Sequence, residues 1–345
     1  MVFRYEMFDF LRYFVLAMEK QQTIEIIRYH NSYKQQWDAF VNGAKNSTFL
    51  FRRDFMEYHK DRFDDFSLMI FVNDELKAIL PAHINGKEVF SHQGLTYGGV
   101  VVSPKLRSTD FYFIFREILF YFHNNNITHL YLKEIPFFYN EFPNDEWKHL
   151  AFVAKATLYR RDLCSVINLK KEFSISRSIV RDAKSGRKTI DSFCETTDYE
   201  LFWNEILIPE MQQKYQTKPV HSLEEMVNLA EKFPHNIKLY AAYKENKMIA
   251  GTVLFISNDV VHAQYISGLR TYRKSGVLDF IFHELITNVF KDFAYFDFGI
   301  SNEDHGKKTN KGLLFWKEGF GARGSSQDFY KFATQNYSLI DQMYL

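Results

Sequence analysis

Residues 237–256 read IKLYAAYKENKMIAGTVLFI. Two apolar runs, Ile237 to Tyr243 and Met248 to Ile256, flank Glu245 and Asn246, which predicts a β-hairpin. After Asn258 and Asp259 a third run, Val260 to Ile266, adds another strand. The pattern occurs once more upstream. There Leu68 to Val72 and Leu76 to Ile84 are joined by Asn73 and Asp74, and a third run begins at Val89.

An amphipathic helix follows each set of strands. Phe111, Ile114, Phe115, Ile118, Leu119 and Phe122 stand at helical spacing on one face, and Leu278, Ile281, Phe282, Leu285, Ile286 and Val289 repeat that spacing. Ile127 to Leu132 and Ala294 to Phe298 then read as short strands. The offset of roughly 170 residues is far longer than a solenoid repeat and predicts a duplicated domain. The expected class is α/β, an α+β mixed sheet covered by helices. The expected organisation is an N-terminal extension (1–34), a first domain (35–168), a basic connecting helix (169–194) and a second domain (195–345).

Composition narrows the function. A chain of 345 residues exceeds what one core usually organises, and 46% hydrophobic against 25% charged residues excludes general disorder. Lys and Arg number 43 against 42 Asp and Glu, so DNA binding is not expected and any tRNA contact must be local. Cys164 and Cys194 lack CxxC or His/Cys spacing, so no metal is expected and both read as reduced, buried thiols. Arg4, Glu6, Asp9 and Arg12 interrupt the apolar residues 1–18, which excludes a transmembrane span there. That segment reads as an appended helix or as sequence upstream of a start near Met18, with a membrane-surface role as the alternative. The expected location is cytoplasmic.

Between the halves, Lys170 to Lys188 holds seven basic residues against Glu172 and Asp182. Arg177, Arg181, Lys184 and Lys188 form one stripe on a helix, either a solvated face or a phosphate-binding edge.

The end of the second half resembles the FemABX and BioF2-like group of GNAT acyltransferases. Asp297-Phe298-Gly299, a polar loop, then Gly312 to Gly321 (GLLFWKEGFG) look like that group's DFG, loop and F-K block, with Trp316 in place of Phe. Arg177 to Gly186, with Arg181 and Ala183, resembles its basic helix. Phe55 and His59 stand where the group has a Trp and a phosphate-binding Lys, and Ser91 to Gly99 (SHQGLTYGG) resembles an acceptor-cleft segment. The likeness spans residues 35–333 and implies two tandem GNAT-like domains that transfer an acyl or aminoacyl group to an amine.

That resemblance assigns roles. Lys317 would face donor phosphate and developing negative charge, so its removal is expected to affect turnover rather than folding, whereas loss of Trp316 would cost packing. Arg273, Lys274, Ser275 and Gly276 form half of a coenzyme A pyrophosphate loop at a helix start, where free N–H groups attract anions. His59, His92, Gln93, Tyr97, Gly98 and Gly99, with the basic stripe, would meet the acceptor. Acyl transfer needs a base and an oxyanion stabiliser. In a GNAT sheet a splayed central strand, here Val260 to Ile266, supplies N–H groups. Strict alternation puts His262 and Gln264 on one face and Ala263 and Tyr265 on the other. His262 and Tyr265 are catalytic candidates. Asp297 is another, accepting the amine proton or capping the Ser301 to Gly306 turn, and His305 is a titratable loop residue. The expected function is N-acylation of a sugar nucleotide or cell-envelope precursor from acyl-CoA. The alternatives are aminoacyl-tRNA-dependent peptidoglycan bridge formation and a non-catalytic ligand-binding scaffold.

Overall fold

Both two-residue turns of the hairpins have positive φ at each central residue: 49° and 63° at Asn73 and Asp74, 51° and 61° at Glu245 and Asn246. This is the turn whose twist matches paired strands, and it fixes their register. The computed structural model describes residues 23–343, so the helix or membrane-surface segment expected at residues 1–18 lies outside the described residues.

In the first half the strands are β1 (Ile24–Arg28), β2 (Asp64–Asp65), β3 (Leu68–Val72), β4 (Glu75–Leu80), β5 (His83–Asn85), β6 (Glu88–Phe90), β7 (Val101–Val102), β8 (His129–Lys133) and β9 (Thr157–Asn168). The second half adds β10 (Ser192–Thr196), β11 (Ile237–Lys244), β12 (Lys247–Ser257), β13 (Val260–Gly268), β14 (Tyr295–Ile300), β15 (Asn302–Glu303), β16 (Lys308–Thr309) and β17 (Arg323–Ala333). The helices that matter here are α1 (Ser108–Asn124), α2 (Glu146–Val153), α3 (Arg177–Thr189), α4 (Ile208–Tyr215), α5 (Val277–Glu284) and α6 (Lys311–Gly319).

The run expected from Leu76 to Ile84 is two strands. Pro81 has no N–H to donate to a ladder, and the chain breaks there. β4 joins a four-stranded sheet, β1-β3-β4-β7, while β5 joins an 11-stranded one. The larger sheet runs β10-β11-β12-β13-β14-β9-β17-β8-β6-β5-β2. Its centre is symmetric. β14 of the second half pairs with β9 of the first, β8 of the first pairs with β17 of the second, and β9 and β17 pair with each other. Outside this centre β13 runs parallel to β14 and β6 parallel to β8. The halves therefore exchange their last strands and share one sheet.

Helix α1 buries its six expected residues against the four-stranded sheet and β8. α5 covers the second half, but residues 285–289 form a π-helical turn. The wider turn rotates Val289 out to solvent and brings Phe290 into the core, correcting the regular spacing expected there. α3 lies on α5 with Ile179, Ala183 and Gly186 inward. Cys164 is buried as expected, whereas Cys194 is exposed, because β10 is the sheet's edge strand.

The α3–α5 crossing depends on two glycines. A Cβ on Gly186 would stand 2.1 Å from the Gly276 carbonyl oxygen. Gly186→Ala is therefore expected to destabilise the protein by about 3 kcal/mol, since backbone must move. Gly312→Ala, on α6 with open space around it, is expected to be neutral or to stabilise by up to ~1 kcal/mol. Denaturant unfolding of both variants checks the opposite signs.

Candidate active site

β13 and β14 pair over three positions only, Val260 with Tyr295, Val261 with Phe296 and His262 with Asp297. Past that point the strands part. Parting strands leave backbone groups to be satisfied otherwise, since a buried unpaired N–H or C=O is costly. On the β14 side this is done by two side chains. Asp297 Oδ1 accepts from the Gly299 N–H at 2.7 Å, and Lys317 Nζ donates to the Gly299 and Ile300 carbonyls at 3.1 and 2.7 Å.

The parting opens a cleft of about 720 Å³. Tyr97, Tyr139, Cys164, His262 and Asp297 line it on one side; Leu278, Trp316 and Lys317 line it from the face covered by α5 and α6. Asp297 is fully buried and accepts three groups: the Gly299 N–H, the Tyr139 hydroxyl at 2.9 Å and His262 Nδ1 at 2.8 Å. Burial alone would raise its carboxyl, but the charge and hydrogen bond of His262, with the Gly299 and Tyr139 donors, hold it below the usual carboxylate range. An ionised Asp297 only accepts, so Nδ1 carries the proton and Nε2 is the basic atom of His262. Asp297 thus orients the histidine, and its short turn contact is to Gly299 rather than to the Ser301 to Gly306 loop.

Lys317 is 2% exposed, and burial lowers its ammonium pKa to about 8, with Asp297 pulling the other way. Burial also pushes the Cys164 thiol well up, with Asp297 adding to it, so it stays protonated. Tyr139 is raised in the same way and stays a neutral donor.

Other expected residues lie elsewhere. β13 carries a bulge: Val253 pairs with Tyr265 and Leu254 with Ala263, leaving Gln264 as the extra residue. Strict alternation fails there, and Tyr265 shares the face of His262. Its ring packs on Trp203, its hydroxyl meets His221 Nδ1 at 2.7 Å, and it stays outside the cleft lining. Gln264 lines the cleft.

Of the expected donor loop, Arg273 lines the cleft, 3.8 Å from Glu210, and Trp316 donates to Asp279 in the first turn of α5. Lys274 points to solvent, and the Ser275 hydroxyl donates to the Tyr272 carbonyl. Gly276 is pressed on α3, where a Cβ would stand 2.0 Å from the Asp182 carbonyl. None of these three lines the cleft.

Among the expected acceptor residues only Tyr97 lines this cleft. Gly98 is required by close approach to the Ser91 carbonyl, 2.0 Å from a Cβ built there, and Gly99 has φ +106° beside Leu132. Gln93 is exposed beside His83. His59 and His92, ring centroids 4.9 Å apart, line a separate cavity of about 400 Å³. Burial lowers His59 to about 4 and also holds His92 well below the usual imidazole value, so both are neutral. Arg177, Arg181, Lys184 and Lys188 line an open groove on the outer face of α3, and among the described residues only Arg181 of the four forms an ion pair, with Asp182. His305 is exposed in the β15–β16 turn.

Tyr139, Cys164, Lys133, Arg160 and Asp162 line the cleft without having been expected. The period of two in Arg160, Asp162 and Cys164 marks one strand face and was a usable signal.

Residues 183–307 match the family model described as an acetyltransferase (GNAT) domain. The fold is similar to that of FemX, with a TM-score of 0.65, 9% identity, and coverage of 92% of this chain and 99% of that one. It is also similar to L-PGS from Bacillus licheniformis, with a TM-score of 0.56, 11% identity, and coverage of 90% and 94%. At such identities the likeness is one of fold. A comparison with curated proteins gives no match.

The burial of Lys317 reverses one expectation about stability. Lys317→Ala removes a packed side chain and the donor for two carbonyls, so it is expected to cost about 2–4 kcal/mol and lower the melting temperature, rather than leave it unchanged. Lys317→Met, which keeps most of the volume, should cost about 1–3 kcal/mol. Trp316 is only partly buried against Phe282, Phe298 and Phe320, and its truncation tests packing separately. Unfolding curves for the set rank these losses.

Proposed function

We propose, from the match of residues 183–307 to a GNAT acetyltransferase domain and a fold similar to that of FemX, an N-acyltransferase acting on an amine of a sugar nucleotide or cell-envelope precursor in the cytoplasm, with acyl-CoA as donor. The observation that carries this reading is the His262–Asp297 pair set where β13 and β14 part. His262 Nε2 takes the proton of the attacking amine, and Asp297 stabilises the imidazolium. The amine nitrogen bonds to the acyl carbon and the C–S bond breaks. Backbone N–H groups of β13 past His262 meet the oxyanion, and the Lys317 ammonium stabilises and protonates the departing thiolate. A protonated Cys164 favours direct transfer over an acyl-enzyme.

A second reading, transfer from an aminoacyl-tRNA, has its own support. The groove on α3 presents four cations, the kind of surface a nucleic-acid backbone meets. Charge reversal at Arg177 and Lys184 together is expected to weaken filter binding of an aminoacyl-tRNA at least tenfold at low salt and to flatten its salt dependence. Unchanged binding returns the stripe to a solvated face.

For the main reading, incubation with acetyl-CoA and an amine panel, read by mass spectrometry, is expected to give acylated amine. His262→Gln should lower kcat on the order of 10²–10⁴. The ammonium of Lys317 is present below about 8, so kcat should fall as pH rises through that value. A flat profile to pH 9 denies Lys317 its role. No product from thioester or aminoacyl donors, with ligand still bound, identifies a binding protein.

A further inference from the structure

The first-half end of the cleft holds charge that the proposed transfer leaves unused. Lys133 on β8, Phe329 on β17 and Arg160 on β9 are register partners in one row across three strands. Lys133 Nζ lies 5.9 Å and the Arg160 guanidinium 4.5 Å from the Phe329 ring centre, and all three residues line the cleft. The nearest anion, buried Asp162, is engaged by Arg160 Nε and Nη2 at 2.6–3.1 Å. Among the described residues Arg160 Nη1 has no partner, and Lys133 donates only to the Leu95 carbonyl. Two cations against one carboxylate leave a net positive charge inside a partly closed cleft. Burial, then the neighbouring Arg160, lowers Lys133 to about 8, with Asp162 pulling the other way.

The roof is a loop. Leu95, Thr96 and Tyr97 line the cleft above this row, held by Lys133 at the Leu95 carbonyl and by Gln327 Nε2 at the Thr96 carbonyl, 3.2 Å. Along β9, Arg160, Asp162 and Cys164 share one face, and Val166 pairs with Asp297. Four residues along β9 to Cys164, and six to the row of Val166 and Asp297, put the cation row roughly 13 and 20 Å away at a strand's rise.

We propose that Lys133 and Arg160 form an anion subsite that holds a carboxylate or phosphate of the acceptor, so that the acceptor is an elongated molecule whose anionic group lies far from its reactive amine. This rests on the transferase reading for the position of the amine. The subsite sets which amines are used: a short amine, or one lacking the distant anion, loses the ion pair and is held less firmly. A phosphate and a carboxylate present the same acceptor oxygens to the two cations.

The test uses the full chain with pentaalanine, whose extended length of roughly 17 Å matches the span, and is read by isothermal titration calorimetry without donor. Pentaalanine should bind at least tenfold more tightly than both its C-terminal amide and dialanine. Lys133→Met should erase the preference for acid over amide, and Lys133→Arg should keep it. Inorganic phosphate should compete with pentaalanine in the wild type. Equal binding of acid and amide by the wild type overturns the subsite whether or not the variants fold. So does an acid preference retained in a folded Lys133→Met protein, and so does dialanine binding as well as pentaalanine. Because no donor is present, a protein that transfers nothing would still show the preference, and a transferase without the subsite would not.

Discussion

The structure depends on a pairing that stops. β13 and β14 share three rungs and then part, which the backbone permits only because the freed polar groups find partners. Lys317 takes the Gly299 and Ile300 carbonyls, and Asp297 takes the Gly299 N–H. The same Asp297 fixes His262, so one carboxylate both stabilises the opening and aims the imidazole into it. Lys317 is likewise a structural donor and a cation facing the cleft. On the proposed mechanism a stability role and a chemical role reside in the same atoms, and a measured loss of activity at Lys317 has to be corrected for loss of fold.

Strand exchange places this opening. Because β9 crosses to pair with β14 and β17 crosses to pair with β8, the floor of the cleft is built from both halves. Arg160, Asp162 and Cys164 on β9 belong to the first half by sequence, yet they extend the line that begins at Asp297. Of the three apolar clusters among the described residues, one lies mainly in the first half under α1, one under α5, and the third joins side chains of both halves, Trp37, Phe49 and Tyr139 with Trp203 and Phe255. Both ends carry charge. Lys133 and Arg160 with Asp162 stand at one end, Glu210 and Asp279 with Lys214 and Arg273 at the other, and neutral groups such as Tyr139 and the Cys164 thiol sit between.

Much of the fold was legible because it is local. The two-residue turns at Asn73-Asp74 and Glu245-Asn246, the apolar face of α1 and the order of strand and helix are all set by neighbours in sequence. The exchange of β9 and β17 is a pairing between residues far apart, to which periodicity is blind. Tyr265 was placed on the wrong face because one bulged residue, Gln264, inverts the alternation. Val289 was misplaced by a π turn for the same kind of reason. At the site, His262, Asp297, Lys317, Arg273, Trp316 and Tyr97 were named and do meet in one cleft. The glycines have a structural use of their own: Gly98 and Gly276 are required by close backbone approach to Ser91 and Asp182, whatever a ligand does. Composition cannot tell those two uses apart, since both need only the absence of a Cβ.

The claim that the β13–β14 opening is where an acyl group is held is tested most directly by a crystal structure with a bound acyl donor analogue, such as a thioether analogue of acetyl-CoA or an aminoacyl-adenosine. The account predicts the acyl carbonyl oxygen about 3 Å from a β13 backbone N–H past His262, with His262 and Lys317 on either side of the acyl carbon. An acyl group lodged outside that opening, or one whose carbonyl faces neither strand, would contradict it.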